Sequence, residues 1–278
     1  MTKPALTPVD VSSNPMLADT QEAFDSVAAI YDGPRGNNVL IQRMRELSWQ
    51  LIAQHVPAPG RLLDIGCGPG IDAYHFAQNG YRVLATDWSP RMVQRAAARA
   101  AVSGLTERLE AARVGAQELH RVNGEFDGAY SNFGPLNCVP DLTLTSRECA
   151  RLMKPGAHMI FTVIGRLCPW ELGYYLAKCR PRRALVRFAR AMTAVRLNTH
   201  TVWSRYYTPH EFHRCFANEF ELVSHRALSL FLPPPYLVDL YERTPRLSRA
   251  LGWLDDHLGD WPVLRAAGDH FLIILRRR

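Results

Sequence analysis

The sequence predicts an α/β chain: a doubly wound, seven-stranded, mostly parallel sheet with helical insertions late in the chain. Three observations carry this expectation. Short apolar strand patterns alternate with helical patterns from Arg61 to Ile164. A cluster of three glycines follows the first strand pattern directly and opens a helical one. Two more strand patterns, Phe220–Phe231 and His270–Leu275, close the chain on either side of an insertion.

Taken in order, residues 1–19 carry three prolines and few bulky apolar groups and read as a flexible N-terminal tail. Residues 20–278 read as one domain. From Thr20 to Tyr31, Phe24, Val27, Ala28 and Tyr31 recur at helical spacing. The turn-rich Asp32-Gly-Pro-Arg-Gly-Asn-Asn38 ends that helix, and a longer one follows over Val39–His55, stopped by Pro57 and Pro59. Strands are expected at Arg61–Ile65, Tyr81–Thr86, Leu109–Val114, Phe126–Asn132 and Ala157–Ile164, with helices at Ile71–Asn79 and Pro90–Ser103. Beyond Gly165, Leu172–Val195 reads as a helix interrupted at Pro181. Thr208 and Pro209 supply an N-cap and a first-turn proline for a helix to Phe216. Leu232–Gly268 reads as a helical insertion, and the stretches 166–216 and 232–268 are expected to cover an acceptor pocket.

Composition narrows the class. At 47% hydrophobic and 21% charged residues the chain has the balance of a globular protein, and its longest apolar run is far short of the ~18–20 residues of a membrane helix. The first twenty residues lack a basic start followed by an apolar block, so no secretory signal is expected and a cytoplasmic location is. Six cysteines are scattered without metal-ligand spacing, which predicts free thiols and no zinc site. The net charge is +7, and eight arginines lie between Arg180 and Arg214 against the single acid Glu211. Such a cluster suits a phosphate, a carboxylate, an acidic lipid surface or nucleic acid, and equally a solvated helix face. No RNA- or DNA-binding motif accompanies it, so nucleic acid is not the expected partner.

The strongest signal is Leu62-Leu-Asp-Ile-Gly-Cys-Gly-Pro-Gly-Ile71. Glycine accepts positive φ and lets a ligand approach the backbone, and the helix that follows offers unpaired N–H groups. A dinucleotide site would want glycine at 66, 68 and 71, but position 71 is isoleucine and the third glycine is Gly70. That spacing disfavours a nicotinamide-dependent enzyme. The second signal, Leu84-Ala-Thr-Asp-Trp-Ser-Pro-Arg-Met-Val93, places Asp87 at the end of the second strand, where a carboxylate can accept hydrogen bonds from two ribose hydroxyls.

An acid followed by G-x-G-x-G, with a second acid one strand later, resembles the class I S-adenosylmethionine-dependent methyltransferases. The resemblance covers about residues 20–165 and implies a Rossmann-like fold, S-adenosylmethionine as cofactor and S-adenosylhomocysteine as product. It implies that Gly66, Cys67, Gly68 and Gly70 line the cofactor, that Asp64 supports the loop, and that Asp87 holds the ribose. Trp88 and Met92 would flank the adenine, and Tyr31 would reach inward from the helix that closes over the cofactor. Many members carry an adenine-binding acid where this chain has Gly115. The Ala116 amide or Gln117 is the expected substitute, and Asn132 matches a position bordering cofactor and acceptor.

Methyl transfer to an oxygen, or secondarily a nitrogen, of a small metabolite or natural product follows as the expected activity. Arg205-Tyr-Tyr-Thr-Pro-His210 offers His210 as a general base and Tyr206 and Tyr207 as pocket walls, and Arg166 could orient an anionic acceptor. No metal is called for. The competing expectation is a non-catalytic module of the same fold that binds RNA or a protein partner, motivated by Gly115 and the arginine cluster.

Overall fold

The computed structural model describes residues 14–278. The tail expected over residues 1–19 lies largely outside them, and its last part is helical. Helix α1 spans Pro15–Val27, with Asn14 as N-cap accepting from the Met16 amide and Pro15 in the first turn. The helix therefore starts five residues before the expected Thr20, because Asn14 caps it and Pro15 suits its first turn. Helix α2, Val39–His55, has the predicted limits and is capped by Asn38, whose side chain accepts from the Leu40 and Ile41 amides.

The sheet is built from β1 (Arg61–Ile65), β2 (Arg82–Asp87), β3 (Leu109–Arg113), β4 (Phe126–Ser131), β5 (Met153–Ile164), β8 (Phe220–Leu228) and β9 (His270–Arg277). Its order is β3-β2-β1-β4-β5-β9-β8. β1 to β5 are parallel, and β9 runs against both β5 and β8. The chain order reverses direction at β1, which pairs with β2 on one side and β4 on the other. A crevice opens outside the carboxyl ends of these strands, the place where open α/β sheets bind ligands.

Apolar side chains on both faces of the sheet explain why its central strands read as continuous runs rather than alternating ones. On one face Leu62, Val83, Ala85, Tyr130, Ile160 and Ile274 pack under α2, α3 (Ile71–Gln78) and α4 (Pro90–Val102). On the other, Leu63, Ile65, Phe161 and Ile273 meet Phe212 and Phe216 of α8 (Pro209–Phe216) and the helix α5 (Leu142–Leu152). Thr208 caps α8 as expected, and Glu211 completes a capping box. α5 was not anticipated. Its Thr145, Ser146 and Cys149 are buried small polar residues, which blur the apolar stripe that marks an amphipathic helix.

The largest departure lies after β5. The single helix expected over Leu172–Val195 is instead α6 (Pro169–Ala177), the short α7 (Pro181–Ala184) and a hairpin of β6 (Thr193–Leu197) and β7 (His200–Ser204). Pro181 cannot donate to a continuing helix and begins a new one instead. Asn198, at φ 54°, makes the tight two-residue connection of the hairpin. The hairpin packs on α1: the Trp203 amide donates to Thr20 Oγ1 at 3.1 Å and Trp203 Nε1 to Asp19 Oδ2 at 2.9 Å. The second insertion carries α9 (Val238–Arg243) and α10 (Pro245–Leu258), where Asp255 accepts from the Leu230, Phe231 and Leu232 amides. No helix among the described residues is long and apolar enough to cross a membrane.

Candidate cofactor and acceptor site

The turn after β1 is held from below. Both the Gly66 and Cys67 amides donate to Thr86 O of β2, at 2.8 and 2.9 Å. The Gly68 amide donates to Asp87 Oδ2 at 2.9 Å, and Asp87 Oδ1 accepts from the Ser89 amide at 2.8 Å. Loop and acid thus fix one another, and each carboxylate oxygen keeps a lone pair for a ligand. Burial pushes the Asp87 carboxyl up to about 6 against the pull of those amides.

Gly66 and Gly68 both have positive φ, and position 66 is closed to a side chain for a second reason. A Cβ at 66 would lie 2.2 Å from Pro135 Cβ, and one at 68 would face the Tyr31 ring at 3.8 Å. Gly70 serves another purpose. Its missing Cβ would meet Ala96 of α4 at 2.8 Å, so the third glycine lets α3 and α4 pack closely and does not line the cavity. Cys67 is buried with its thiol raised well above the ordinary range by burial and then by Asp87, so it fills space and is unreactive.

A cavity of about 320 Å³ extends from this turn along the carboxyl edge of the sheet. Tyr31, Asp87, Trp88 and Met92 bound one end, with Ala116 and Gln117 beside them. Trp88 is fixed by donation from Nε1 to Leu17 O at 3.1 Å. Helix α1 and the β6–β7 hairpin close the opening with Phe24, Val195, Leu197, Val202 and Ser204. Ile164, Cys138 and Tyr206 line the far end. The segment carrying Tyr31 is clamped down by Asp32, which pairs with Arg95 at 2.7 Å and Arg99 at 2.5 Å. Arg99 also donates to Pro69 O in the glycine turn.

Three polar groups wait in this cavity or beneath it. Asn132 accepts from Ser48 Oγ at 2.8 Å, while its Nδ2 is buried with no partner among the described residues. Gln117 Nε2 is likewise buried and unpartnered. Asp64 lies under the turn beside Tyr130, with Oδ2 unpartnered and its carboxyl raised by burial and by Asp72. Orphaned buried groups cost roughly 1–3 kcal/mol each, so two orphaned amides on residues that line one cavity mark a place for a polar ligand. Gln117 also accounts for Gly115. A Cβ at 115 would lie 2.3 Å from Gln117 Nε2, so a side chain there would displace this amide from its present position.

Comparison with known proteins decides what kind of site this is. The model of a methyltransferase domain matches residues 62–156, the stretch that holds the glycine turn, Asp87, Gln117 and Asn132. Residues 62–156 are a class I S-adenosylmethionine-dependent methyltransferase domain. An uncharacterized protein of Mycobacterium tuberculosis is 36% identical over 137 residues, 49% of this chain and 48% of that protein. A ubiquinone biosynthesis O-methyltransferase of Alkalilimnicola ehrlichii is 31% identical over 147 residues, 51% of this chain and 58% of that protein. The chain spans about half the length of the curated relatives it matches. Among solved structures, the [4+2]-cyclase SpnF superposes with a TM-score of 0.62 at 19% identity, covering 93% of this chain and 96% of that one. That likeness extends the fold, and the fold alone, through the second half.

The expected cofactor residues line one cavity, except that Asp64 and Gly70 support the turn from behind its wall. The acceptor candidates divide. Tyr206 lines the cavity, with its hydroxyl pushed up to about 12 by burial, so it remains a neutral donor. Tyr207 does not: it is buried in the core against Phe212 and Phe161 on the opposite face of the sheet. Adjacent residues of an extended segment point to opposite sides, so only one of this pair could reach the pocket. Arg166 is committed elsewhere, donating to Tyr206 O at 2.8 Å and pairing with Glu211 at 3.1 Å. His210 is exposed on the first turn of α8 and outside the cavity, because α8 turns its Phe212 and Phe216 to the core.

Sequence reasoning missed the hairpin wall and the pair Arg45–Asp72. Those two side chains line the cavity, lie 2.5 Å apart, and are further fixed by Trp49 Nε1 on Asp72 and by the Phe133 ring 4.7 Å from the Arg45 guanidinium. The alternation of Val195 and Leu197 with Val202 and Ser204 about Asn198 was the available signal for the hairpin.

Gln117→Ala is expected to weaken S-adenosylhomocysteine binding about threefold to tenfold, the worth of one hydrogen bond. Calorimetric titration reads the loss. The melting temperature of the unliganded chain should not fall, since this amide has no protein partner to lose.

Proposed function

We propose that this chain transfers the methyl group of S-adenosylmethionine to an oxygen of a small, mainly apolar acceptor. One observation carries the proposal: a single cavity joins the glycine turn and Asp87 to an acceptor end walled by Ile164, Val195, Leu197, Val202 and Tyr206. When bound, the cofactor supplies an electrophilic sulfonium methyl group.

The chain's own residues then have distinct tasks. Asp87 accepts from the ribose hydroxyls. Gln117 and the Ala116 amide face the adenine, with Trp88 and Met92 on its flanks. Tyr31 closes over the turn as a neutral phenol, its hydroxyl pushed up to about 12 by burial. Asn132, fixed by Ser48, offers its free Nδ2 where cofactor and acceptor meet. Helix α1 and the hairpin narrow the opening to bulk water. Holding the acceptor oxygen in line with the methyl carbon supplies the rate advantage, which reaches ~7–11 kcal/mol in favourable cases.

The acceptor end also constrains the acceptor. Among the described residues no histidine or lysine lines the cavity, and Asp72 is neutralised by Arg45. A group poised to remove a proton from an aliphatic alcohol is therefore lacking there. An acidic hydroxyl, phenol or enol, fits: its oxygen forms the bond to the methyl carbon, the carbon–sulfur electron pair stays on sulfur, and the proton passes to water. Apolar walls favour a neutral acceptor over the anionic one that Arg166 had suggested. The ubiquinone biosynthesis O-methyltransferases that match about half of this chain support oxygen over nitrogen.

Calorimetry with S-adenosylhomocysteine, followed by methyl transfer from isotopically labelled cofactor to a panel of phenols, enols and amines, tests this. Binding with turnover of the acidic hydroxyls is expected. Silence at millimolar S-adenosylhomocysteine removes the methyltransferase assignment, and turnover of amines alone removes oxygen as the acceptor atom.

A further inference from the structure

We propose that the exposed edge of the segment between β5 and β6, centred on α7, docks on an anionic lipid bilayer. From Leu176 to Arg183 eight consecutive residues are exposed, among them Lys178, Arg180, Arg182 and Arg183. Large apolar side chains stand out between and beside these cations: Leu176 is 50% exposed, Leu185 55% and Phe188 44%. The only acid from Leu167 to Leu197 is Glu171, and it is buried against Arg187 at 2.5 Å. Among the described residues none of these four cations pairs with a carboxylate.

Charge and apolar exposure together select the occupant. A patch of cations alone suits any polyanion, and isolated exposed leucines are ordinary. Cations interleaved with protruding leucine and phenylalanine match an interface where headgroup phosphates meet acyl chains. Half-buried tyrosines lie beneath the cations, as at such interfaces. Lys178 Nζ is 4.3 Å from the Tyr174 ring, and the Arg183 guanidinium is 5.8 Å from that of Tyr175.

The edge is held in shape from inside. Ala184 is buried, and Arg187 bonds Glu171 on α6, Gly165 O at the end of β5 and Asp269 at the start of β9. The same guanidinium lies 5.4 Å from the ring of Tyr206 at the acceptor end of the cavity. One short segment thus carries the docking edge on its outside and a support of the acceptor wall on its inside. The docking itself does not depend on methyl transfer.

The test is co-sedimentation of the full chain with large unilamellar vesicles of phosphatidylcholine, alone or with one third phosphatidylglycerol, at low and high salt. The chain is expected to sediment with the phosphatidylglycerol vesicles at low salt and to stay in solution with the neutral ones. R180E/R182E/R183E should lower the partition coefficient at least about tenfold, and L185S/F188S about fivefold or more. Melting temperatures within a few degrees of the parent confirm that both variants are folded. Absence of sedimentation with anionic vesicles overturns the proposal. So does partitioning that ignores both variants. Equal binding to heparin with no loss in L185S/F188S shows a polyanion site and overturns it, as does a concentration-dependent dimer that L185S/F188S abolishes.

Discussion

Asp87→Ala is expected to lower the affinity for S-adenosylhomocysteine about 100-fold or more. The carboxylate would accept two hydroxyl hydrogen bonds, and bonds to a charged partner are worth roughly 1.5–3 kcal/mol each. The substitution also frees the Gly68 and Ser89 amides that the carboxylate now holds, so the glycine turn loses its anchor. Binding should further depend on pH in a definite direction. With Asp87 raised to about 6, its carboxyl is largely protonated at pH 5 and ionised at pH 7. The ionised form is the better acceptor, so the dissociation constant should fall about tenfold per pH unit approaching pH 6 and level off above it. In the unliganded chain the sign is opposite. A carboxyl raised above its unfolded value of 3.8 favours the folded state at low pH, and that contribution is lost as pH rises through about 6. Calorimetry between pH 5 and 8 on the parent and on Asp87→Ala reads both effects. A pH profile that survives in the variant would assign the titration to another group.

Arg187→Ala should destabilise the fold by about 3–5 kcal/mol, the usual cost of stripping one partner from a buried ion pair. Arg187 lies between Glu171 at 2.5 Å and Asp269 at 2.6 Å, and all three side chains are at most a tenth exposed. It also satisfies Gly165 O and Asp269 O, at 3.1 and 2.9 Å. The alanine variant leaves two carboxylates in the interior without their cation. Burial alone would push Asp269 up, yet Arg187 and His270 together hold it well below the usual carboxylate range. The stability this group contributes is present above the unfolded carboxylate pKa and is lost as pH falls toward the depressed folded value. Acid unfolding of the parent should therefore carry an Asp269 component that Arg187→Ala reduces. Urea midpoints at neutral pH measure the main loss, and R187M/E171Q/D269N should recover part of it by removing the charges that R187M alone would strand. Recovery would separate stranded charge from lost packing. Cys168 lies with Glu171 and Asp269 within reach of a common point, but the guanidinium already occupies the space between the carboxylates.

The cofactor half was legible because its determinants are local. The Gly66-x-Gly68 spacing, the carboxylate closing β2 and the strand–turn–helix order lie within thirty residues, and each position is fixed by its own turn. Helix α2 and strand β1 matched their predicted limits, since proline and asparagine at their borders act on neighbouring backbone. The same local logic failed where long-range packing decides. Tyr206 and Tyr207 are adjacent and chemically alike, and only the course of the chain after β7 turns one toward the cavity and the other into the core. His210 has the chemistry of a base, but the burial of Phe212 and Phe216 sets the rotation of α8 and leaves it outside.

Local sequence set the glycine turn, the parallel sheet that carries it and the acid that locks it, because backbone conformation at glycine, proline and capping residues follows from near neighbours. Long-range packing set what lines the rest of the cavity. The hairpin wall, the Arg45–Asp72 pair and the Arg187 network are contacts between segments far apart in the chain, and such pairings are chosen by whichever arrangement buries the most apolar surface while leaving the fewest charges alone.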